Sequence, residues 1–269
     1  MRAPRIFGIV NVTRDSFSDG GRWFTPAAAL EHAQRLLAAG ADVIDLGAES
    51  THPDAEHVSA EQEVERLAPV VEALRVRGVE ISVDTVKPAV MQRVLSMGVQ
   101  WLNDVNGFRD REALAAAAAA PANVRFVVMH SRARGGRAER IAAPAAGLLA
   151  DLRTFFAERV QAFAAVGIGR ERLVFDPGMG FFLGSSPQPS LSVLRHLDAL
   201  AAEFGPLLVS VSRKSFLGEV SGAAVAERGA ATLAAELWAA RHGAAFVRTH
   251  DVAALRQGLA VERAIVEAS

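Results

Sequence analysis

The chain of 269 residues contains no cysteine, which excludes a disulfide framework and any metal centre built on thiolates. It also lacks an apolar run approaching the roughly 20 residues needed to span a bilayer. The alanine-rich stretch 115–120 is short and bounded by Arg111 and Pro121. Charge of either sign is not in excess: the formal net charge is -1 and the pI near 6.7, so no overall basic field attracts nucleic acid. The opening MRAPRIFGIVNV runs into an apolar strand with no signal-like segment, and the expected location is cytoplasmic. These absences leave a small molecule as the expected partner, with neither nucleic acid nor membrane. Several chemical signatures are missing as well. No P-loop, HExxH, Ser-His-Asp arrangement or paired Cys/His set is evident, which removes most support for nucleophilic hydrolysis and zinc chemistry.

What the chain does have is 51% hydrophobic residues, arranged with a repeat. Apolar runs rich in Val, Ile, Leu and Phe return about every 30 residues, separated by stretches of helical periodicity. Strands are predicted at 6–12, 43–47, 80–84, 101–105, 124–130, 173–176, 207–212 and 245–250. Helices are predicted at 26–38, 60–76, 88–96, 111–120, 148–166, 190–203, 224–241 and 252–267, several starting at or just after Pro, Ser or Asp. Eight βα units with no break in composition predict a closed (β/α)8 barrel, an α/β TIM-barrel fold formed as one domain by residues 1–269. A doubly wound sheet would need GxGxxG after its first strand, and GIVNVTRDSFSDGG does not supply it. The connection 131–146, with Arg132, Arg134, Arg137 and Arg140, is expected to be a solvated, mobile loop.

In such a barrel the active site forms at the C-terminal ends of the strands. Polar residues fall there repeatedly: Asn11; Glu49, Ser50 and Thr51; Asp84; Asn103 and Asp104; His130; Asp176; Ser212 to Ser215; Arg248 and His250. Each alone reads equally well as a turn or cap residue. Together they divide by chemistry. Asp84, Asn103 and Asp176 offer acceptors and an amide suited to the edge of a flat, polar heterocycle. Lys214, Arg248 and His250 suit a phosphoryl group, at the strands where such barrels often bind phosphate. Glu49 has no obvious basic partner in the sequence and reads as structural.

The same segments carry a family resemblance over essentially the whole chain. GIVNVTRDSFSDGG, DLGAESTHP, SVDT, NDVNG, VVMH, DPGMGF, SRKSFLG and RTHDV follow one another in the order seen in dihydropteroate synthases, and the chain resembles that family. The resemblance implies a transferase that joins a pterin pyrophosphate to p-aminobenzoate, with release of pyrophosphate. It implies that Asp84, Asn103, Asp176 and Lys214 hold the pterin, with Asp84, Asp176 and Lys214 catalytic. Asn11, Arg248 and His250 would hold the pyrophosphate, with Mg²⁺ on Asn11 and phosphate oxygens. Thr51, His52, Phe181 and Ser215 would face p-aminobenzoate. The loop containing Arg14, Asp15, Ser16, Phe17 and Asp19 would close over the site, and a homodimer through the last helices, including the Ala/Leu-rich surface of 224–240, is implied.

Two departures from the family pattern fall on the aromatic-amine side. Where the second loop commonly carries arginine the chain has His52, which offers at most a single donor toward a carboxylate in place of a permanently charged fork. After DPGMGF it continues Phe182-Leu183-Gly184, where the family commonly has Gly-Lys-Thr. A pterin-binding homologue with another second substrate, or none, therefore stands beside the synthase. A corrinoid-dependent methyltransferase fits less well, because a methyl donor carries no pyrophosphate for Lys214, Arg248 and His250. An unrelated phosphosugar enzyme leaves Asp84, Asn103 and Asp176 unexplained. His32, His196 and His242 fall in or just after predicted helices and read as surface or packing residues, and His130 as a strand-end residue of undecided role.

Overall fold

A computed structural model describes residues 3–13, 25–52, 54–55, 57–133 and 135–268. The first-loop residues Arg14, Asp15, Ser16, Phe17 and Asp19, together with Pro53 and Arg134, lie outside them.

Eight parallel strands follow the predicted order: β1 (Arg5–Asn11), β2 (Val43–Gly47), β3 (Ile81–Asp84), β4 (Trp101–Asp104), β5 (Arg125–Met129), β6 (Leu173–Asp176), β7 (Leu207–Val209) and β8 (Ala244–Thr249). Each pairs with its sequence neighbour, and β8 returns to β1 with Phe7 opposite Arg248, closing the barrel. The strands are buried on both faces, which is why they read as continuous apolar runs rather than as alternation.

Helix starts were legible because local chemistry sets them. Thr25 caps α1 (Pro26–Ala38), with Pro26 in the first turn, and Ser59 forms a capping box with Gln62 at α2 (Ala60–Val76). Pro88 opens α3 (Pro88–Ser96), Asp110 caps α4 (Arg111–Ala118), and α5 (Leu148–Ala165) follows Gly147. The stretch predicted as one helix over 190–203 is two: α6 (Pro187–Arg195) and α7 (Leu197–Phe204). They part at His196, whose ring nitrogen contacts the Ser192 carbonyl oxygen at 2.7 Å. Strand β7 ends at Val209, short of the predicted 212, and a short helix α8 (Ser215–Ser221) follows the Lys214 turn. A 3-10 turn at Val225–Glu227 precedes α9 (Gly229–Arg241), and α10 (Val252–Glu267) begins at the Asp251 cap. Among the described residues no helix is long and apolar enough to cross a membrane.

Two apolar layers hold the barrel. The outer one lies between strands and helices and includes Leu67, Val94, Phe126, Phe163 and Leu200. The inner one fills the N-terminal end of the barrel with Phe7, Trp101 and Phe246, whose ring centroids lie 5.1–5.6 Å apart in edge-to-face contacts. Glu80 accepts the Trp101 indole N–H at 2.6 Å and pairs with Arg5 at 2.5 Å, while Arg125 lies over the Trp101 ring at 4.5 Å. The plug confines access to the opposite, C-terminal mouth. Trp101→Ala is expected to lower the unfolding free energy by about 3–5 kcal/mol, read from denaturant titration. A loss below about 1 kcal/mol would show that the plug collapses without cost.

Candidate active site

The residues assigned from the sequence to the pterin, the pyrophosphate and p-aminobenzoate line one cavity of about 530 Å³ at the C-terminal mouth: Asn11, Thr51, His52, Asp84, Asn103, Asp176, Phe181, Lys214, Ser215, Arg248 and His250. The parallel register brings them together. Gly47 lies beside Asn11 and Asp84, and Asp84 beside Asn103, so successive strand ends deliver their side chains at one level.

At the base, Arg248 reaches across the barrel interior. Its Nε donates to Asp45 at 2.6 Å and a terminal nitrogen donates to Asp84 at 2.9 Å. Asp45 is wholly buried on β2 and was not foreseen, because its place in DLG gives no turn, cap or motif signal on its own. Burial opposes the Arg248 charge, but Asp45 and Asp84 outweigh it and hold the guanidinium more firmly protonated than usual. Burial raises the Asp84 pKa, Arg248 pulls against that rise, and Asp45 and Asp104 add to it; the net direction is upward.

Asp176, buried at the end of β6, accepts the Gly178 N–H at 2.8 Å. Gly178 has φ 73°, and a side chain there would fall on the His130 carbonyl oxygen, so only glycine permits this turn. Burial pushes Asp176 up to about 6, against the opposing charges of Lys214 and Arg248. Lys214 donates to the Met179 carbonyl at 3.2 Å and stands 4.8 Å over the Phe182 ring. Burial brings Lys214 down to about 8 despite the nearby Asp176. The buried Asn103 amide oxygen has no hydrogen-bond partner, as expected of an acceptor that awaits a donor. His250 contacts Ser212 Oγ through Nδ1 at 2.9 Å, and burial together with Arg213 and Arg248 lowers it to about 3, so it is a neutral imidazole at pH 7.

Other strand-end residues turn away. Asp104 accepts the backbone N–H groups of Asn106 and Phe108 at 2.7 Å each and shapes a turn, leaving Asn103 as the cavity-facing member of that pair. His130 is buried edge-on to Phe155 at 5.3 Å, and burial lowers it to about 4.

Two expectations are corrected. Glu49 does have basic partners: Lys87, Arg137 at 2.8 Å and His57 at 3.3 Å, while Lys87 also pairs with the buried Glu63 at 2.7 Å. Burial opposes ionisation of Glu49, but hydrogen bonds from Lys87 and Arg137 prevail and hold it near 2. Those cations come from other elements, out of reach of sequence spacing. Nor is the 131–146 connection a free solvated loop. Arg132 donates to the Pro144 carbonyl at 2.8 Å and to Asp151, Ala138 N–H donates to the Thr51 carbonyl, and Arg140 pairs with Asp54 at 2.5 Å. Arg132, Arg137 and Arg140 fasten it to the second loop and to α5.

A closed parallel barrel whose mouth sets acid and amide acceptors against cations defines a heterocycle-binding barrel enzyme, and the family described as pterin binding enzyme matches residues 7–250. A dihydropteroate synthase type-2 of Escherichia coli is 51% identical over 263 residues, covering 97% of this chain and 96% of that protein. Among solved structures, a Xanthomonas albilineans dihydropteroate synthase with 4-aminobenzoic acid superposes with a TM-score of 0.89 at 39% identity, covering 99% of this chain and 94% of that one. A Yersinia pestis dihydropteroate synthase in a sulfonamide complex superposes with a TM-score of 0.91 at 36% identity, covering 99% and 95%. The chain belongs to the dihydropteroate synthase family of pterin-binding transferases.

Replacing Asp45 with Asn leaves a buried guanidinium with one carboxylate in place of two. The variant is expected to lose about 3 kcal/mol of stability in urea titration. Unchanged stability would show that Asp84 alone balances Arg248.

Proposed function

We propose that this chain condenses 6-hydroxymethyl-7,8-dihydropterin pyrophosphate with p-aminobenzoate, forming dihydropteroate and pyrophosphate, and that the cavity residues divide the work as their chemistry suggests. The observation that carries the residue roles is the meeting, in one cavity, of the unpartnered Asn103 amide oxygen and the buried Asp176 carboxylate with Lys214 and Arg248.

Asp84, Asn103, Asp176 and Lys214 hold the pterin. The two carboxylates and the amide meet its N–H, amino and carbonyl groups, and Lys214 favours the ionised form of Asp176 against the effect of burial. Asn11, Arg248 and His250 hold the pyrophosphate, His250 as a neutral donor. The C–O bond between the pterin methylene and pyrophosphate breaks, and its electron pair leaves with the pyrophosphate. Positive charge spreads into the ring, where the carboxylates of Asp84 and Asp176 stabilise it. The aromatic amine held among Thr51, His52, Phe181 and Ser215 then attacks the methylene through its nitrogen lone pair and loses one proton to water. No covalent bond to the protein forms, so positioning and preset charge account for the acceleration.

Asn11 is the proposed Mg²⁺ ligand. Among the described residues no group of three or more His, Cys, Asp or Glu forms a cage, and a single amide oxygen suits an ion that takes its remaining oxygens from substrate phosphates and water. Bound there, Mg²⁺ supplies charge stabilisation for the leaving pyrophosphate. One domain spanning residues 1–269, a cytoplasmic location and a homodimer complete the proposal. The single-domain reading is supported by strands from Arg5 to Thr249 in one barrel, and the dimer by apolar groups left exposed on the last two helices, Trp238, Val261 and Ile265.

Purified protein given the pterin pyrophosphate, Mg²⁺ and p-aminobenzoate is expected to release pyrophosphate only when the amine is present. Asp176→Asn is expected to lower kcat/KM on the order of a hundredfold. Pterin binding without amine-dependent release would make the chain a binding homologue. The pH profile of kcat/KM should be a bell. Ionised Asp176 is lost as pH falls through about 6, and the Lys214 charge is lost as pH rises through about 8. A flat profile from pH 5 to 9 would contradict the roles given to both.

A further inference from the structure

An aromatic amino acid substrate brings a carboxylate, and the four residues assigned to it, Thr51, His52, Phe181 and Ser215, include no permanently charged side chain. Most of the cavity's cations are engaged elsewhere. Arg248 is held by Asp45 and Asp84, Lys214 donates to the Met179 carbonyl beside Asp176, and Arg228 donates to the Ala223 and Arg213 carbonyls. Arg140, from the β5–α5 connection, is placed differently. It lines the same cavity with its guanidinium 5.5 Å from the centre of the Phe181 ring. Both its terminal nitrogens grip one carboxylate, that of Asp54, at 3.0 and 2.5 Å. The fork-on-carboxylate arrangement is the one Arg uses to recognise a free acid. Asp54 in turn lies 3.7 Å from the His52 ring, at the point where the second loop lacks an arginine.

Two further features suit this place to exchange. Arg140 and Asp54 keep 50% and 56% of their side-chain surface exposed, so water competes with the pair and a substrate carboxylate can take the place of Asp54. The backbone around Arg140 is nonetheless anchored: Ala138 N–H donates to the Thr51 carbonyl and Ser185 N–H to the Ile141 carbonyl, at 3.0 and 2.8 Å. The guanidinium is therefore delivered to the mouth by a fastened segment. The Phe181 ring and the Arg140 fork therefore lie together in the cavity, an apolar surface beside a group suited to a carboxylate.

We propose that Arg140 is the specificity-determining cation for the carboxylate of the aromatic amine, and that Asp54 is an internal carboxylate that occupies its fork until the substrate displaces it. The inference rests on the synthase reading. The recognising charge then comes from the fifth loop, compensating for His52 in the second.

The test compares p-aminobenzoate with 4-aminobenzamide, which keeps the amine and loses the charge, in steady-state turnover and in calorimetric binding with pyrophosphate and Mg²⁺. Arg140→Ala is expected to raise KM and Kd for the acid about tenfold, with kcat within about twofold and the amide unaffected. Arg140→Lys should recover part of the loss. Asp54→Asn should move the other way and tighten the acid, because it removes the competing carboxylate. If the pair merely ties two loops together, both substitutions weaken acid and amide alike, and that result overturns the proposal. So does a carboxylate-dependent loss in Arg213→Ala that is absent from Arg140→Ala. Absence of amine-dependent pyrophosphate release by the unsubstituted protein would remove the synthase reading, while the acid-to-amide ratio in binding would still decide the role of Arg140.

Discussion

Arg248 held between Asp45 and Asp84 is the interaction on which the rest of the site depends. A buried guanidinium is tolerated only where opposite charge meets it with good geometry, and here two carboxylates from neighbouring strands do so at 2.6 and 2.9 Å. The arrangement exists because β8 and β3 face one another across a barrel closed by β1 and β2. A shift of one residue in any of those ladders would turn the partners to opposite faces of the sheet. The register that packs the aromatic plug at one end therefore also sets the charge pattern at the other.

Substrate binding consequently meets a preset field. Asp84, Asp176, Lys214 and Arg248 sit close enough to shift one another, so each ionises at a pH set by the group. Such a site does not need to reorganise when charge develops on a heterocycle and its leaving group. Around it, a second set of ion pairs among Glu49, Lys87, Glu63 and Arg137 fastens the second and fifth loops beside the cavity mouth. The polar core sets the chemistry, and the outer pairs shape what can enter.

Much of this was legible along the chain because local signals coincide with global ones. Helix α2 begins where Ser59 and Gln62 form a capping box, α1 and α3 where proline opens the first turn, and the strand-end residues share one level because the strands are parallel and in register. What escaped the sequence depends on contacts between distant segments. Asp45 looks like any acid in a strand until Arg248, 203 residues later, is brought against it. Glu49 looks unpaired until α3 delivers Lys87 and the fifth loop delivers Arg137. The break at His196 between α6 and α7 has no proline or glycine to announce it, since the ring contact to Ser192 that accompanies the break lies within the helical run. Strand β7 stops at Val209, and Ser210 and Ser212 beyond it line the cavity.

The account's central claim is that the buried carboxylates are preset to receive the pterin and become fully ionised on doing so. The most direct measurement is the proton count when 6-hydroxymethyl-7,8-dihydropterin, which carries no phosphate to titrate, binds at pH 6. Calorimetry in buffers of different ionisation enthalpy reads that count. Asp176, lifted by burial to about 6, and Asp84, lifted in the same direction, are both partly protonated at that pH, so binding should release protons from the two, and the release should fall in Asp176→Asn to the share of Asp84 alone. Pterin binding at pH 6 with no proton released by the unsubstituted protein would contradict the account.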